Sequence, residues 1–439
     1  MSLILAIIAG IIPFQFTLSP LFGVDISILR IIIILATLIT ITTIIINKPF
    51  YAPRSTLPTL IALFLITAFL SITVTYDITW FTRKFIFLLN FFALFFIITL
   101  NIGIYTIVLR MIRIATLSGI CAAITALLLW TMQFLTGADT VTNFWQHIIA
   151  PFFLGNTITD SIATYSSAYV NIAGTNYLRA VGFFPDPHIA AFFFELTLPF
   201  TIAFATIAPT TQQRLLWYSG TAIVLFALLA TFTRGAYVAL FFSVIILLLG
   251  TLPLLTARAV RRSIIALCAS VLCISILAIT TPLGGRITSI ISNHDRSVSA
   301  RLIIWHDAID TITLHPFLGV GLGNYPFTQN IHADYRDPYY AHNLYLDIAV
   351  EMGIGALIIW ISIITTAIWR FLRYHQRPIG IAGAMSLMLY SIHSLFDTAL
   401  FSVHTLPLLL IIITMATYEN HTRHHITAHS ITQPSYPQP

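Results

Sequence analysis

Long apolar blocks dominate this chain and restrict what it can fold into. About twelve blocks, each close to the ~20 residues that a helix needs to cross a bilayer, are bounded by Pro, Gly or charged residues. Charged residues make up 8% of the 439, against about 25% in a soluble domain. The pattern predicts an all-α membrane protein with about 12 transmembrane helices, at 3–18, 26–47, 57–75, 85–108, 114–135, 189–208, 215–232, 235–255, 263–281, 343–369, 379–399 and 403–418.

Basic residues between these blocks indicate the orientation. They concentrate in alternate short connections, which lie on the cytoplasmic side under the positive-inside rule. Both termini are therefore expected in the cytoplasm, and the protein in the cell inner (cytoplasmic) membrane. The residues that set this orientation are Lys48, Arg54, Arg110, Arg113, Arg214, Arg258, Arg261, Arg262, Arg370, Arg373 and Arg377.

Two long connections, 136–188 and 282–342, fall on the opposite side. Connections of this length are usually functional or disordered, and their aromatic content favours structured extracytoplasmic loops. Apolar residues at helical spacing in 301–312 predict an amphipathic helix at the membrane surface. The expected segments are a five-helix membrane segment 1–135, the first long loop 136–188, central membrane helices 189–281, the large loop 282–342, C-terminal membrane helices 343–418 and a cytoplasmic tail 419–439.

Further basic residues occur on the predicted outer side, where the positive-inside rule disfavours them. Contact with lipid headgroups explains any one of them. As a set they favour an anionic substrate, because arginine offers a fork of donors that matches phosphate oxygens. The set is Arg83, Lys84, Arg179, Arg234, Arg286, Arg296, Arg301 and Arg336.

Ionisable residues inside the predicted helices form three polar stripes in the same outer half. Such residues usually face the bundle interior or a water-filled cavity. They predict a polar cavity that opens outwards, with mutual structural pairing of the same groups as the alternative. The stripes are Asn343, Asp347 and Glu351 on one helix, His188 and Glu195 on a second, and His393 and Asp397 on a third.

Motifs in the second half of the chain resemble the signature of the O-antigen ligase and polymerase family. Residues 315–327, HPFLGVGLGNYPF, resemble its Pro-Gly-Gly turn, and 339–356, YYAHNLYLDIAVEMGIGA, its His-Asn pair at the start of a span. Arg301 and Trp305 lie on the helix before them, as in the family's Arg-and-Trp helix.

Two earlier segments extend the resemblance. Residues 179–191, RAVGFFPDPHIAA, resemble the family's Arg-x-x-Gly-x-Phe element before a span. Residues 231–240, TFTRGAYVAL, resemble its Ser-Arg-Gly stretch, with Thr233 in place of Ser. Four elements in this order are more specific than any one of them alone.

The resemblance implies a glycosyltransferase that takes a glycan from polyprenyl (undecaprenyl) diphosphate. Arg179 and Arg301 match the family's outward arginines and are expected to stabilise the charge of the departing diphosphate, with Arg286 or Arg296 as alternatives to Arg301. His342 is expected to be the general base for the acceptor hydroxyl, or else to orient the loop and bind sugar. Further substrate-binding candidates are Arg83, Lys84, Asp186, His188, Arg234, Arg286, Asn343 and Asp347.

No cofactor and no metal are expected. Asp186 and His188 alone are too few for a metal site, so transfer is predicted to be metal-independent. The glycines of 319–323 lack the preceding strand and following helix of a nucleotide loop. The histidines of 421–430 are interpreted as part of a disordered end rather than as a metal-binding tract.

The acceptor decides among three reactions that share this donor: ligation onto a lipid or surface glycan, polymerisation of repeat units, and transfer to a protein. The resemblance slightly favours ligation. The expected partners are the donor, a glycan, lipid or protein acceptor, and the bilayer, with no nucleic acid. A secondary transporter and a non-catalytic lipid-binding scaffold remain as alternatives from other classes.

Overall fold

The fold is a bundle of helices with two short β-hairpins. The computed structural model describes residues 1–21, 24–47, 55–101, 105–156, 159–160, 166–172, 174–251, 296–333, 339–375 and 377–418. The helices are α1 (Ser2–Ile11), α2 (Ile28–Asn47), α3 (Leu57–Leu70), α4 (Ile78–Asn101), α5 (Tyr105–Thr136), α6 (Ala138–Phe144), α7 (Ala150–Leu154), α8 (Pro187–Ile207), α9 (Thr211–Ala230), α10 (Arg234–Thr251), α11 (Arg296–Leu314), α12 (Pro326–Gln329), α13 (Leu344–Tyr374), α14 (Arg377–His393) and α15 (Thr405–Ala416). The antiparallel strand pairs are β1 (Thr17–Leu21) with β2 (Val24–Ser27), and β3 (Tyr169–Ile172) with β4 (Thr175–Leu178).

Seven of the described helices are long and apolar enough to cross a membrane, namely α2, α3 with the 3₁₀ turn that extends it, α4, α5, α8, α9 and α13. Four shorter apolar helices, α1, α10, α14 and α15, pack among them. The predicted span 263–281 lies outside the described residues. A multi-pass helical membrane protein is therefore confirmed, whereas the count of about twelve spans stays a prediction.

The first predicted span, 3–18, is wrong in its second half. Helix α1 ends at Ile11, and Pro13, which cannot continue the backbone hydrogen-bond ladder, follows in a turn. Gln15, with a positive φ of 56°, is buried there, and its amide donates to the carbonyls of Ile12 and Val403. The chain then enters the β1–β2 hairpin instead of continuing as helix.

The fourth helix begins earlier than its charges suggest. The carboxylate of Asp77 accepts the backbone N–H groups of Thr79 (2.7 Å) and Trp80 (3.1 Å) and so caps α4 at its start. Arg83 and Lys84, expected to open this span, therefore lie inside its first two turns.

The basic residues Arg110 and Arg113 lie inside α5, not in the connection where the sequence placed them. A helix of 32 residues is about 48 Å long, which exceeds the ~30 Å hydrocarbon core. The first turns of α5 can therefore extend beyond the core and keep both guanidinium groups out of it.

Helix α8 occupies the centre of the bundle and is buried on nearly all sides between α5, α9 and α14. The Asp186 carboxylate caps it by accepting the N–H groups of His188 (2.8 Å) and Ile189 (2.9 Å). The hydroxyl of Ser386 on α14 donates to the Leu196 carbonyl at 2.9 Å. This helix positions three of the ionisable residues that the sequence singles out.

The described part of the predicted loop 136–188 is structured. It forms α6, α7 and the β3–β4 hairpin, and the Trp145 indole N–H donates to the Gly182 carbonyl at 2.7 Å. The Gln133 side chain at the end of α5 bonds both the N–H and the carbonyl of Leu178. The side of the membrane on which this segment lies stays a prediction.

Helix α13 is broken at Gly353, whose φ of 83° is not helical. The broken ladder is completed by the glycine turn (residues 315–323): the N–H groups of Val320 and Gly321 donate to the carbonyls of Val350 (2.8 Å) and Glu351 (3.1 Å). In return, the N–H of Ile354 donates to the Pro316 carbonyl at 2.9 Å. Backbone groups freed inside a membrane helix must find such partners, so the turn and the break depend on each other.

Candidate active site

Two histidines meet one carboxylate where α8 and α13 begin and α14 ends. Nδ1 of His188 lies 2.8 Å from Oδ2 of Asp397, and Nδ1 of His342 lies 3.6 Å from Oδ1 of the same carboxylate. We call these three residues the His–Asp–His cluster. Asp397 is 16% exposed and His342 is 47% exposed, so the cluster is open to a ligand on the His342 side.

The sequence places His393 and Asp397 one turn apart on one helix, and this part of the prediction is wrong. Helix α14 ends at His393, and a turn follows in which the Phe396 N–H donates to the His393 carbonyl at 2.8 Å. The Ser394 carbonyl accepts the N–H of Leu344 at 2.9 Å. The turn therefore aims Asp397 at the start of α13 rather than along α14.

Asp347 fixes both loops that carry the cluster. One carboxylate oxygen accepts the N–H of Ala341 at 2.8 Å, and the other accepts the hydroxyl of Thr398. Asn343 caps α13 by accepting the N–H groups of Tyr345 and Leu346. These contacts give Asp347 and Asn343, predicted to bind substrate, a role in holding His342 and Asp397 together.

Electrostatic interactions within the cluster shift the pKa values of His342 and Asp397. The neighbouring Asp397 carboxylate raises the pKa of His342 above its ordinary 6.5, against the lowering effects of burial and of the Arg301 charge. Burial by itself favours a higher pKa for Asp397, but the two histidines hold the pKa of that carboxyl well below 3.8. Asp397 is thus a carboxylate, and His342 a base of more than ordinary strength.

The backbone at His342 is also unusual. Its φ of 48° lies in the left-handed region, which few residues other than glycine adopt. Strained positions of this kind persist where the surroundings over-determine them, and they concentrate at functional sites. Here Asp347 holds the preceding amide and Asn343 caps the helix that follows.

Helix α11 brings the predicted Arg–Trp pair to this place. The Trp305 indole N–H donates to the carbonyl of Ala341 at 2.9 Å, one residue before His342. Arg301 is partly exposed, and its positive charge reaches His342. The apolar residues of the helix divide between two sides: Ile304, Ala308 and Ile312 pack inwards, whereas Leu302, Ile303 and Ile309 are exposed.

Arg179 lies behind the cluster and is 4% exposed. Its guanidinium donates to the carbonyls of Thr231 (2.7 Å) and Ser167 (3.0 Å) and to the Thr233 hydroxyl (3.0 Å). Its charge also acts on His188. Thr233, which the sequence resemblance aligns with a family Ser, supplies the hydroxyl that this arrangement uses.

The second basic pair, Arg83 and Lys84, borders a cavity of about 220 Å³ between α4, α13 and the glycine turn. The Lys84 ammonium lies 2.7 Å from both carboxylate oxygens of Glu351 and 3.9 Å from the ring centroid of Phe401. The positive charge of Lys84 is therefore largely compensated inside the protein. Aromatic walls complete the cavity, from Trp80, Phe87, Tyr340 and Phe401.

Other predicted residues contribute less or fall elsewhere. Asp186 caps α8, and Arg234 is the first residue of α10, next to Thr233. Arg286 lies outside the described residues, and so does Arg336. The prediction omitted Asp397 and Glu351 as site residues, although both are ionisable residues in or near apolar segments, a signal that marks functional positions.

The comparison with protein families bears on the central part of this site. Residues 219–361 match the model of the O-antigen ligase family. This range contains Thr233, Arg301, the glycine turn and His342, but not Arg179, His188 or Asp397. No curated protein matches the chain. The match supports a membrane glycosyltransferase of the ligase or polymerase type, and residues 219–361 carry the O-antigen ligase domain that the sequence motifs indicate.

Proposed function

We propose that the protein transfers a glycan from polyprenyl (undecaprenyl) diphosphate to an acceptor hydroxyl, with His342 as the general base. The observation that carries this proposal is the contact of His342, which lies within the O-antigen ligase domain, with Asp397 on the open side of the cluster. Because Nδ1 faces the carboxylate, Nε2 is the nitrogen left to accept a proton from substrate. A carboxylate behind a histidine orients it and stabilises its charged form.

In the proposed step, Nε2 of His342 takes the proton of the acceptor hydroxyl as the oxygen bonds to the anomeric carbon. The bond between that carbon and the diphosphate oxygen breaks, and the electron pair leaves with the polyprenyl diphosphate. The imidazolium that forms is stabilised by Asp397. The growing negative charge of the leaving group then requires cationic donors on the other side of the sugar.

Arg301 is the proposed donor to the diphosphate, because it is partly exposed and its charge reaches His342. Arg179 is buried and does not reach the diphosphate directly in this proposal. Its positive charge adds to the electrostatic field at the site, and its hydrogen bonds hold the 231–234 turn in place. Arg83 is exposed beside the aromatic cavity and is the second proposed contact for the diphosphate. Lys84 is less suited to this contact, because Glu351 already compensates its charge.

Ligation onto a lipid or surface glycan is the proposed reaction, with the active site on the extracytoplasmic face and no metal required. The test is an assay of purified protein with a polyprenyl-diphosphate oligosaccharide and, separately, lipid, glycan and peptide acceptors, with and without chelator. Product with the lipid or surface-glycan acceptor, unchanged by chelator, is expected. Product only with a glycan acceptor that is the donor's own repeat unit would show a polymerase, and no product from folded protein would favour transport.

The matched pair of variants for this assay is His342→Ala and His306→Ala. His306 is an exposed histidine on α11 that pairs with Asp310, so its loss should leave transfer unchanged. Normal transfer by His342→Ala protein would remove His342 as the base.

A further inference from the structure

A second acid–base pair joins α8 to α14 about two turns away from the cluster. Nδ1 of His393, the last residue of α14, lies 2.8 Å from Oε2 of Glu195 on α8. The side chains are 1% and 0% exposed. Glu195 follows His188 by about 10 Å along the helix, so the Glu195–His393 pair and the His188–Asp397 pair lie on one face of α8.

The His393 ring is closely held on its other sides. It stacks on Phe192, with ring centroids 3.8 Å apart and an interplanar angle of 9°. A Cβ at Gly235 of α10 would lie only 2.6 Å from the ring. Within the described part of the chain, Oε1 of Glu195 and Nε2 of His393 have no hydrogen-bond partner. The contact between Nδ1 and Oε2 is thus a polar link between the end of α14 and α8, one of two among the described residues, with the Ser386–Leu196 bond farther along α14.

His393 begins the turn that carries Asp397, and the contact between Asp347 and Thr398 holds the other end of that turn. The His393 carbonyl accepts the N–H of Phe396, and the next carbonyl, that of Ser394, accepts the N–H of Leu344. These bonds define the turn that leads to Asp397. A small rotation of His393 would therefore move the Asp397 carboxylate relative to both histidines of the cluster.

We propose that Glu195 and His393 are positioning residues, whose hydrogen bond holds Asp397 between His188 and His342. Two leucines would fill the same space, and apolar replacements of a buried pair are often tolerated for stability. A hydrogen bond differs from them in being directional, so it fixes the register of the two helices. The effect on transfer rate rests on the proposed function, but the effect on His342 itself does not.

The test compares the double variant Glu195→Leu/His393→Leu with wild-type protein. This variant removes both polar groups and leaves no buried charge unpaired. The matched control is Thr201→Val/Thr221→Val, which removes a hydroxyl–hydroxyl bond of 2.9 Å between α8 and α9. Folding of each variant is checked by its apparent melting temperature in detergent.

The readout is the pH dependence of carbethoxylation of His342 by diethyl pyrocarbonate, measured by peptide mass spectrometry. Only the neutral imidazole reacts, so the profile reports the pKa of His342. The charged groups that face His342 are Asp397, Arg301 on α11 and Asp347 on α13. Of these, only Asp397 lies in the turn that follows His393, so the variant is expected to act through Asp397. His306, which is exposed, is the internal reference.

A lower pKa of His342 is expected in the leucine variant, with His306 and the threonine control unchanged. Transfer at neutral pH should fall about tenfold or more, because small misplacements of catalytic groups are costly. Glu195→Gln, which keeps a hydrogen-bonding group of the same length, should retain most of the wild-type profile. If the leucine variant does not fold, Glu195→Met, which removes the carboxylate and keeps the His393 ring, replaces it in the same measurement.

An unchanged profile of His342 in a folded variant that lacks the pair would overturn the inference. Failure of the proposed function is distinguishable from this, because wild-type protein would then transfer no glycan while carbethoxylation still reports the pKa of His342.

Discussion

The carboxylate of Asp397 lies 2.8 Å from the imidazole of His188 and so joins the start of α8 to the turn that follows α14. The same carboxylate faces His342, the residue before the cap of α13. One acidic group thereby connects three helices at the place where the proposed chemistry occurs.

Replacing Asp397 with Asn should move the pH profile of transfer to lower pH. A general base works in its neutral form, so activity rises as the pH increases through the pKa of His342. Asp397 raises that pKa, and its loss therefore shifts the rise towards acid. Activity at neutral pH should nevertheless fall about a hundredfold, because His342 loses the carboxylate that orients it and stabilises its imidazolium. Initial rates across the pH range measure both effects.

The matched control is Asp310→Asn, which removes the carboxylate 3.1 Å from the exposed His306 and should leave the profile unchanged. A wild-type midpoint in the Asp397→Asn protein would show that the carboxylate does not govern His342.

Arg301→Ala should lower the transfer activity, whereas Arg179→Ala should lower the stability of the fold. Arg301 is partly exposed, so its removal is expected to lower transfer about a hundredfold with little change in melting temperature. Arg179 is buried and bonds two carbonyls and a hydroxyl, so its removal should reduce the free energy of unfolding by about 2–4 kcal/mol. Activity per folded molecule and apparent melting temperature distinguish the two, and a stable but inactive Arg179→Ala protein would assign Arg179 to the substrate instead.

Gly319→Ala should destabilise the glycine turn. A Cβ at this position would lie 2.2 Å from the Val350 carbonyl oxygen, and the φ of 64° disfavours any side chain. A cost of at least about 2 kcal/mol is expected, read as a fall in melting temperature. Gly355→Ala, on the same broken helix, places its Cβ in open space and serves as control, so equal effects of the two changes would contradict this account.

Lys84→Met should destabilise the protein, and Lys84→Met/Glu351→Gln should recover most of the loss. Removal of Lys84 leaves Glu351, which is 2% exposed, as a buried charge without its partner, at a cost of about 3–5 kcal/mol. The double variant removes that charge. If the double variant is stable and transfers glycan normally, Lys84 has a structural role. If it is stable but inactive, Lys84 or Glu351 itself contacts substrate.

The sequence determined the helices and pointed to the family, because both depend on local signals. Hydropathy and length identify apolar helices without knowledge of their neighbours, and seven described helices meet that criterion. The motif that includes His342 lies within the matched domain. The ends of the helices were harder to predict from the sequence. The charged residues suggested where α4 begins, whereas the structure shows that the Asp77 cap sets its start.

Only the tertiary structure decided which residues meet. Asp397 was assigned to a stripe on α14, but the end of that helix at His393 turns it towards His188 and His342. Lys84 and Glu351 carry no sequence signal that pairs them, yet the packing of α4 near the break in α13 brings them to 2.7 Å. Helical periodicity acts over a few residues, whereas contacts between distant segments depend on packing, caps and turns throughout the bundle.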